Sequence, residues 1–165
     1  MTWFFAVHAR IVATPVSDEV PRTTLDELLL EVRSTLDRLD AVAACEAQAG
    51  GAFLIDTRSH DERSRTGVIP GSLHIPRSVL EWRLDPAADP AFHNSHIDGL
   101  DQRIVLVCAH GCSSSLAAGT LRVLGFSRAT DLDGGFAAWQ AAGLPVRPAP
   151  DVDPEAIPGM GDPDS

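Results

Sequence analysis

The sequence predicts an α/β fold built on a parallel sheet, and three observations carry that expectation. Four short runs with strand character, at residues 52–56, 72–76, 104–107 and 129–132, alternate with stretches of helical spacing. Strand–helix alternation of this kind implies right-handed crossovers between parallel strands. Ala52 to Ile55 and Ile104 to Val107 are apolar at every position, as in strands covered on both faces. At 165 residues, 44% hydrophobic and 22% charged, the chain is sized and composed for one domain with a real core.

The elements follow in order. Residues 1–22 form an N-terminal extension. Its apolar start, Met1 to Val7, has no basic stretch before it and no cleavage pattern after it, so it reads as mature sequence and not as a signal peptide. Thr24-Leu-Asp-Glu27 has capping-box spacing, and Leu25, Leu28, Val32, Leu36 and Leu39 continue from it as one amphipathic stripe. This predicts an extra N-terminal helix whose apolar face is additional core or, alternatively, a partner surface. Asp40 caps a second helix that runs to Ala49 and stops at Gly50-Gly51, with Cys45 as a small packing residue.

The first strand ends at Asp56, Gly67 to Gly71 is a turn, and Ser72 to Pro76 is a second strand in which His74 packs or hydrogen-bonds. Leu80 to Leu84 makes a helical turn that places Trp82 near a pocket mouth. After the strand at Ile104–Val107 a helix is expected from Leu116 to Leu124, then a strand at Ala129–Leu132. A last helix from Gly135 to Ala142 is anchored by Phe136 and Trp139. The domain spans 23–147. Residues 148–165 hold five prolines, five acids and no base, which predicts a flexible tail.

Charge and cysteine usage exclude several classes. Thirteen bases against 23 acids give a net charge of −10, the wrong sign for a nucleic-acid surface. No apolar run approaches a membrane span of about 18 residues. Three cysteines, an odd and small number, argue against a disulfide scaffold and for a cytoplasmic location.

Chemistry concentrates in Cys108-Ala-His-Gly-Cys-Ser-Ser-Ser115. A cysteine at the C-terminal end of a central parallel strand occupies the usual ligand position of an open α/β sheet. The loop leads into a helix N-terminus, whose unpaired amides stabilise negative charge and lower a thiol pKa. Gly111 allows a tight turn, and Ser113 to Ser115 cap the helix or donate hydroxyl hydrogen bonds. Cys112 either resolves an oxidised or persulfidated Cys108 or simply contributes a backbone amide. Cys108, His110 and Cys112 lack the fourth ligand and spacing of a metal site, so no metal is expected.

Asp56-Thr-Arg58, Gly67-Val-Ile-Pro-Gly71, the strand–cysteine–loop–helix at 104–124, and Asp133-Gly-Gly-Phe-Ala-Ala-Trp139 through Gly143-Leu-Pro145 together resemble the rhodanese domain over residues 40–146. The resemblance implies a sheet flanked by helices on both faces and a sulfurtransferase without metal or organic cofactor. It implies that Cys108 is the nucleophile, taking a sulfane sulfur from thiosulfate or a small or protein-borne persulfide and passing it to cyanide or a thiol. Ala109, His110, Gly111, Cys112, Ser113 and Ser114 would surround the substrate. Arg58 would contact it or be tied to Asp56 in a supporting ion pair.

Loop length separates the branches of this fold. Related phosphatases and arsenate reductases carry C-x5-R, and here the arginine position is Ser114, so phosphoryl clamping is disfavoured. No permanently charged base lies within 108–115; an imidazole such as His110, mostly neutral at pH 7 in its ordinary state, is the one substitute. Thiosulfate is therefore a weaker expectation than a less charged persulfide. The competing reading is a catalytically idle rhodanese-like module that binds partners or senses redox state through Cys108 and Cys112.

Overall fold

Side-chain caps set the first two helices. The computed structural model describes residues 22–150 apart from 91, 95 and 98. The N-terminal extension through residue 21 and the acidic tail from residue 151 lie outside the described residues. Helix α1 (Leu25–Ser34) begins where the Thr24 hydroxyl accepts from the Glu27 amide and the Glu27 carboxylate accepts from the Thr24 amide. Helix α2 (Ala41–Ala49) begins where Asp40 Oδ1 accepts from the Ala43 amide at 2.8 Å and ends at Gly50.

The expected stripe from Leu25 to Leu39 is not one helix. α1 stops at Ser34, and Leu39 instead forms a parallel bridge with Leu132. The Leu39 amide donates to the Asp131 carbonyl at 3.1 Å, and the Asp133 amide donates to the Leu39 carbonyl at 2.8 Å. That extended pairing is incompatible with helical backbone, so sheet-edge contacts override the local spacing. The core expectation is corrected with it: Leu36 is buried, but Leu25 and Leu28 stay exposed, and α1 buries Leu29 instead.

Strands β1 (Phe53–Asp56), β2 (Leu73–His74), β3 (Ile104–Val107) and β4 (Ala129–Asp131) form an all-parallel sheet in the order β2-β1-β3-β4. β3 is central, with Phe53 to Asp56 opposite Ile104 to Val107, and Ile104 to Leu106 opposite Ala129 to Asp131. The remaining helices are α3 (His60–Thr66), α4 (Leu80–Leu84), α5 (Ser113–Val123) and α6 (Gly135–Ala141). α3 has no counterpart in the sequence reading, although Ser59 and Glu62 cap it reciprocally. α5 starts three residues before the expected Leu116, bringing Ser113 to Ser115 into its first turn.

Alternation along the strands divides the core in two. Ile104 and Leu106 face a cluster with Leu36, Leu80, Leu84, Ala117 and Leu121, from the α1, α4 and α5 side. Val105 and Val107 face the other way, against Ala44, Ala47, Leu132, Phe136 and Trp139 of the α2 and α6 side. Phe136 and Trp139 anchor α6 as expected, and the Trp139 indole N–H donates to the Pro145 carbonyl at 2.9 Å. Among the described residues, no helix is long and apolar enough to cross a membrane.

Candidate functional site

Cys108 follows directly on β3 and is 7% exposed, in the short connection that leads to Ser113 at the start of α5. Gly111 turns the loop with φ +75°, and a Cβ there would lie 2.6 Å from the Gly134 amide nitrogen. The loop's carbonyls are taken from outside. α6 donates its Phe136 amide to Cys108 O at 2.8 Å and its Ala137 amide to Ala109 O at 3.1 Å. Gly111 O accepts from Arg33 Nη2 at 2.8 Å, from Arg38 Nη2 at 3.1 Å and from Ser115 Oγ at 3.1 Å. With the carbonyls drawn outward, loop amides are left to face the sulfur.

Cys108 Sγ accepts from the Gly111 amide at 3.1 Å and lies 3.2 Å from Ser114 Oγ. Burial pushes the Cys108 thiol up. The Ser113 and Ser114 hydroxyls and the Ser114 and His110 amides together outweigh it, holding the pKa below the ordinary 9.0. The arrangement favours a thiolate nucleophile and stabilises an anion one bond farther out.

The sequence-predicted residues separate into roles. Ala109, His110, Gly111, Cys112, Ser113 and Ser114 all belong to the cradle; of these, His110, Cys112 and Ser113 are exposed. The Cys112 thiol has only long contacts, at 4.0 Å, with His110 O and Arg33 Nη2. The serines do not cap α5: its N-cap is Cys112, with no side-chain bond, because Ser114 and Ser115 both turn to Asp131. Arg58 is occupied. Its guanidinium pairs bidentately with Asp56, at 2.9 and 2.6 Å, bonds Thr66 Oγ1 and Gly67 O, and stacks 3.6 Å above the Phe136 ring. Both side chains are almost fully buried, so Arg58 ties β1 to α3 and α6. His74 Nε2 is 2.8 Å from the Arg58 carbonyl and holds the same turn.

Four contributors escaped the sequence reading. Asp131, fully buried at the end of β4, accepts from Ser114 at 3.1 Å, from Ser115 at 2.8 Å, and from Arg38 through both carboxylate oxygens. Arg33 of α1 donates to Gly111 O and to Ser115 Oγ. These partners lie 73 to 93 residues from the groups they hold, except Asp131 to the serines, so no local spacing announces them. The fourth is Arg65 on α3. It lines a cavity of about 370 Å³ beside Ala109 and His110, opposite Phe136 and Gln140 of α6. Trp82, 62% exposed on α4, does not line that cavity, which corrects its expected place. A larger cavity of about 580 Å³, between Gly51 and Arg128, touches no residue of the cysteine loop.

A family model described as the rhodanese-like domain matches residues 36–142. The chain belongs to the rhodanese-like family. This rhodanese-like chain is 33% identical over 108 residues to thiosulfate sulfurtransferase GlpE of Ectopseudomonas mendocina (strain ymp), covering 66% of this chain and 88% of that protein. It is 35% identical over 94 residues to the human thiosulfate:glutathione sulfurtransferase, covering 55% of this chain and 81% of that protein. Among solved structures, a Rhodopseudomonas palustris protein of unknown function, called a possible tyrosine phosphatase, superposes with a TM-score of 0.69 at 30% identity. That match covers 81% of this chain and all of the other. α1 and Arg33 precede the span that the family model matches.

Proposed function

We propose that Cys108 is the group through which this sulfurtransferase moves sulfur. The observation that carries the reading is the Cys108 sulfur itself, nearly buried yet held below its ordinary pKa by loop amides and two serine hydroxyls. The Cys108 thiolate attacks the sulfane sulfur of a donor. A new S–S bond forms, the donor's S–S bond breaks, and sulfite, or a thiolate from a persulfide donor, leaves with the electron pair. An acceptor thiolate or cyanide then attacks the outer sulfur of the Cys108 persulfide and releases the Cys108 thiolate. The loop amides donate to the sulfur and stabilise its negative charge at each stage, and no step requires a metal or organic cofactor.

The cavity between α3 and α6 suits a small donor or acceptor; Arg65, His110 and Gln140 are among its polar side chains, with Glu62, Thr66 and the Asp56-paired Arg58. The relatives named for thiosulfate and for glutathione support a small sulfur donor and a thiol acceptor here. We assign residues 23–147 to the catalytic domain. The antiparallel bridge between Val68 and Arg147 supports that boundary. The odd and small number of cysteines is the basis for proposing a reducing compartment such as the cytoplasm.

A phosphatase reading is raised by the description of the Rhodopseudomonas palustris structure. Ser114 stands where that chemistry places its arginine, and its hydroxyl faces Cys108 and Asp131. The deciding experiment is mass spectrometry after exposure to thiosulfate or a persulfide. One added sulfur atom is expected on the peptide containing Cys108, with transfer to cyanide or glutathione lost in Cys108→Ser. Transfer surviving in Cys108→Ser, or hydrolysis of a phenyl phosphate ester without sulfur transfer, overturns the assignment.

A further inference from the structure

We propose that Arg33, on a helix that precedes the family-matched span, is a positioning residue for Cys108: it holds Gly111 and, through Ser115 and Asp131, directs the Ser114 hydroxyl onto the nucleophile. The proposal rests on Cys108 being the reacting group, and it follows from counting hydrogens. Ser114 and Ser115 carry one hydroxyl hydrogen each, but three acceptors face them. Ser114 Oγ is 3.2 Å from Cys108 Sγ and 3.1 Å from Asp131 Oδ2. Ser115 Oγ is 2.8 Å from Asp131 Oδ2 and 3.1 Å from Gly111 O. If Ser115 serves Gly111, then Ser114 is drawn to the buried Asp131 carboxylate and the Cys108 thiolate loses a donor.

Arg33 settles that competition. Its Nη2 donates to Gly111 O at 2.8 Å, the shorter of two guanidinium bonds there beside the 3.1 Å bond from Arg38, so Gly111 does not need the Ser115 hydrogen. Its Nε donates to Ser115 Oγ at 3.2 Å, which occupies a Ser115 lone pair and leaves the hydroxyl hydrogen for Asp131. Asp131 is then satisfied by Ser115 and by the two bonds from Arg38, and the Ser114 hydrogen is released to Cys108. Gly111 joins both ends of the network, because its own amide donates to Cys108 Sγ at 3.1 Å. Arg33 also brings charge: among the described residues no carboxylate pairs with it, whereas Arg38 is shared between Asp131 and Asp133.

Other charged and titratable groups surround the sulfur and bear on its ionisation. His110 and Cys112 lie in its own loop, Asp131 and Arg38 stand behind Ser114, and Arg58 lies over the Phe136 ring, paired with Asp56. Glu62 and Arg65 of α3 face the loop across the cavity. Of the groups bonded to the loop, Arg33 is the one contributed by α1, so it can be changed without touching Asp131, Arg38 or the strands.

The test follows the pH dependence of Cys108 alkylation by iodoacetamide in the full-length chain. The peptide containing Cys108 is quantified by mass spectrometry, so that Cys45 and Cys112 do not contribute. Arg33→Gln is expected to raise the alkylation midpoint by roughly half a pH unit, about threefold less thiolate at neutral pH. Arg33→Lys, which keeps the charge but not the fork, recovers part of the shift. Leu30→Ala, exposed on the same helix, leaves the midpoint in place. A midpoint for Arg33→Gln that coincides with the wild type overturns the proposal. Should Arg33→Gln fold poorly, Ser115→Ala takes its place: an upward shift supports the relay and an unchanged midpoint overturns it. Alkylation needs no sulfur donor, so this outcome is separate from the sulfur-transfer test of Cys108→Ser.

Discussion

Gly135 lies so close to Cys108 that a single methyl group on its Cα would overlap the Cys108 carbonyl oxygen. The same methyl would stand 2.7 Å from the Gly111 amide nitrogen and 2.8 Å from that of His110. Gly135 adopts φ +61°, where any other L-residue carries a strain of about 1–2 kcal/mol before the overlap is counted. Gly135→Ala is therefore expected to displace the loop and lower sulfur transfer by at least about tenfold, with a lower Tm. A soluble Gly135→Ala variant with wild-type turnover would show that the loop does not need this contact.

The Cys108 pKa lies below its ordinary 9.0, which fixes the sign of a pH effect. The thiolate is the reactive form, so alkylation and first-step sulfur uptake rise with pH and level off once Cys108 is ionised. That plateau is expected at lower pH than for Cys108 in the urea-unfolded chain. Ser114→Ala removes one of the stabilising hydroxyls and is expected to move the curve toward the unfolded one. Coincident curves for native and unfolded protein would remove the basis for an activated thiol.

Much of this site could be read from the chain because it is local. β3, Cys108, the turn at Gly111 and α5 are contiguous, and the strand, the turn and the body of the helix announce themselves by apolar run, glycine and helix spacing, although α5 begins at Ser113 and not at the expected Leu116. What holds the loop in place was not readable. Arg33 and Arg38 reach Gly111 across 78 and 73 residues, and nothing in their own neighbourhood marks them. α3 is silent for another reason: His60 to Thr66 has no apolar residue, so periodicity gives no signal although the Ser59–Glu62 capping pair is present. Periodicity over-extends α1, because Leu36 and Leu39 keep helical spacing although Leu39 is taken by the sheet edge.

Arg65 lines the cavity from α3 together with Glu62, and its guanidinium is the proposed partner for the anionic donor that residues 108–115 cannot pair. Arg65→Ala is expected to raise the KM for thiosulfate severalfold while changing that of a neutral persulfide donor much less. Ala109→Arg adds a cation on the loop side and is expected to lower the thiosulfate KM by about tenfold, the size of one charge-assisted hydrogen bond. Equal effects on both donors would mean that these positions shape the cavity and do not read charge.

Asp56 and Arg58 form a buried pair at 2.6 Å with 0% and 2% side-chain exposure. Asp56→Ala leaves the Arg58 charge buried, with Thr66, Gly67 and Phe136 as its remaining neighbours, and also removes the carboxylate that lies 3.5 Å from the buried Arg63 Nε. Breaking such a pair costs about 3–5 kcal/mol, equivalent to a Tm lower by roughly 10 °C in a domain of this size. Differential scanning calorimetry that found Tm within about 2 °C of wild type would refute the structural role given to Arg58.

β3 is four residues long, paired on both sides, and its side chains alternate between two separate clusters. Losing one residue from it would exchange the cluster that each remaining side chain enters and would turn the cysteine's approach to the loop by half a pleat. The exposed loop positions meet no such penalty, since the grip there is on backbone carbonyls and amides, whereas Gly111 and Ser114 are fixed by a close backbone approach and by side-chain bonds. The register of β3 thus sets where the cysteine arrives: a residue gained or lost between Ile104 and Val107 would carry Cys108 away from the Gly111 amide, whereas a substitution at exposed His110, Cys112 or Ser113 would not.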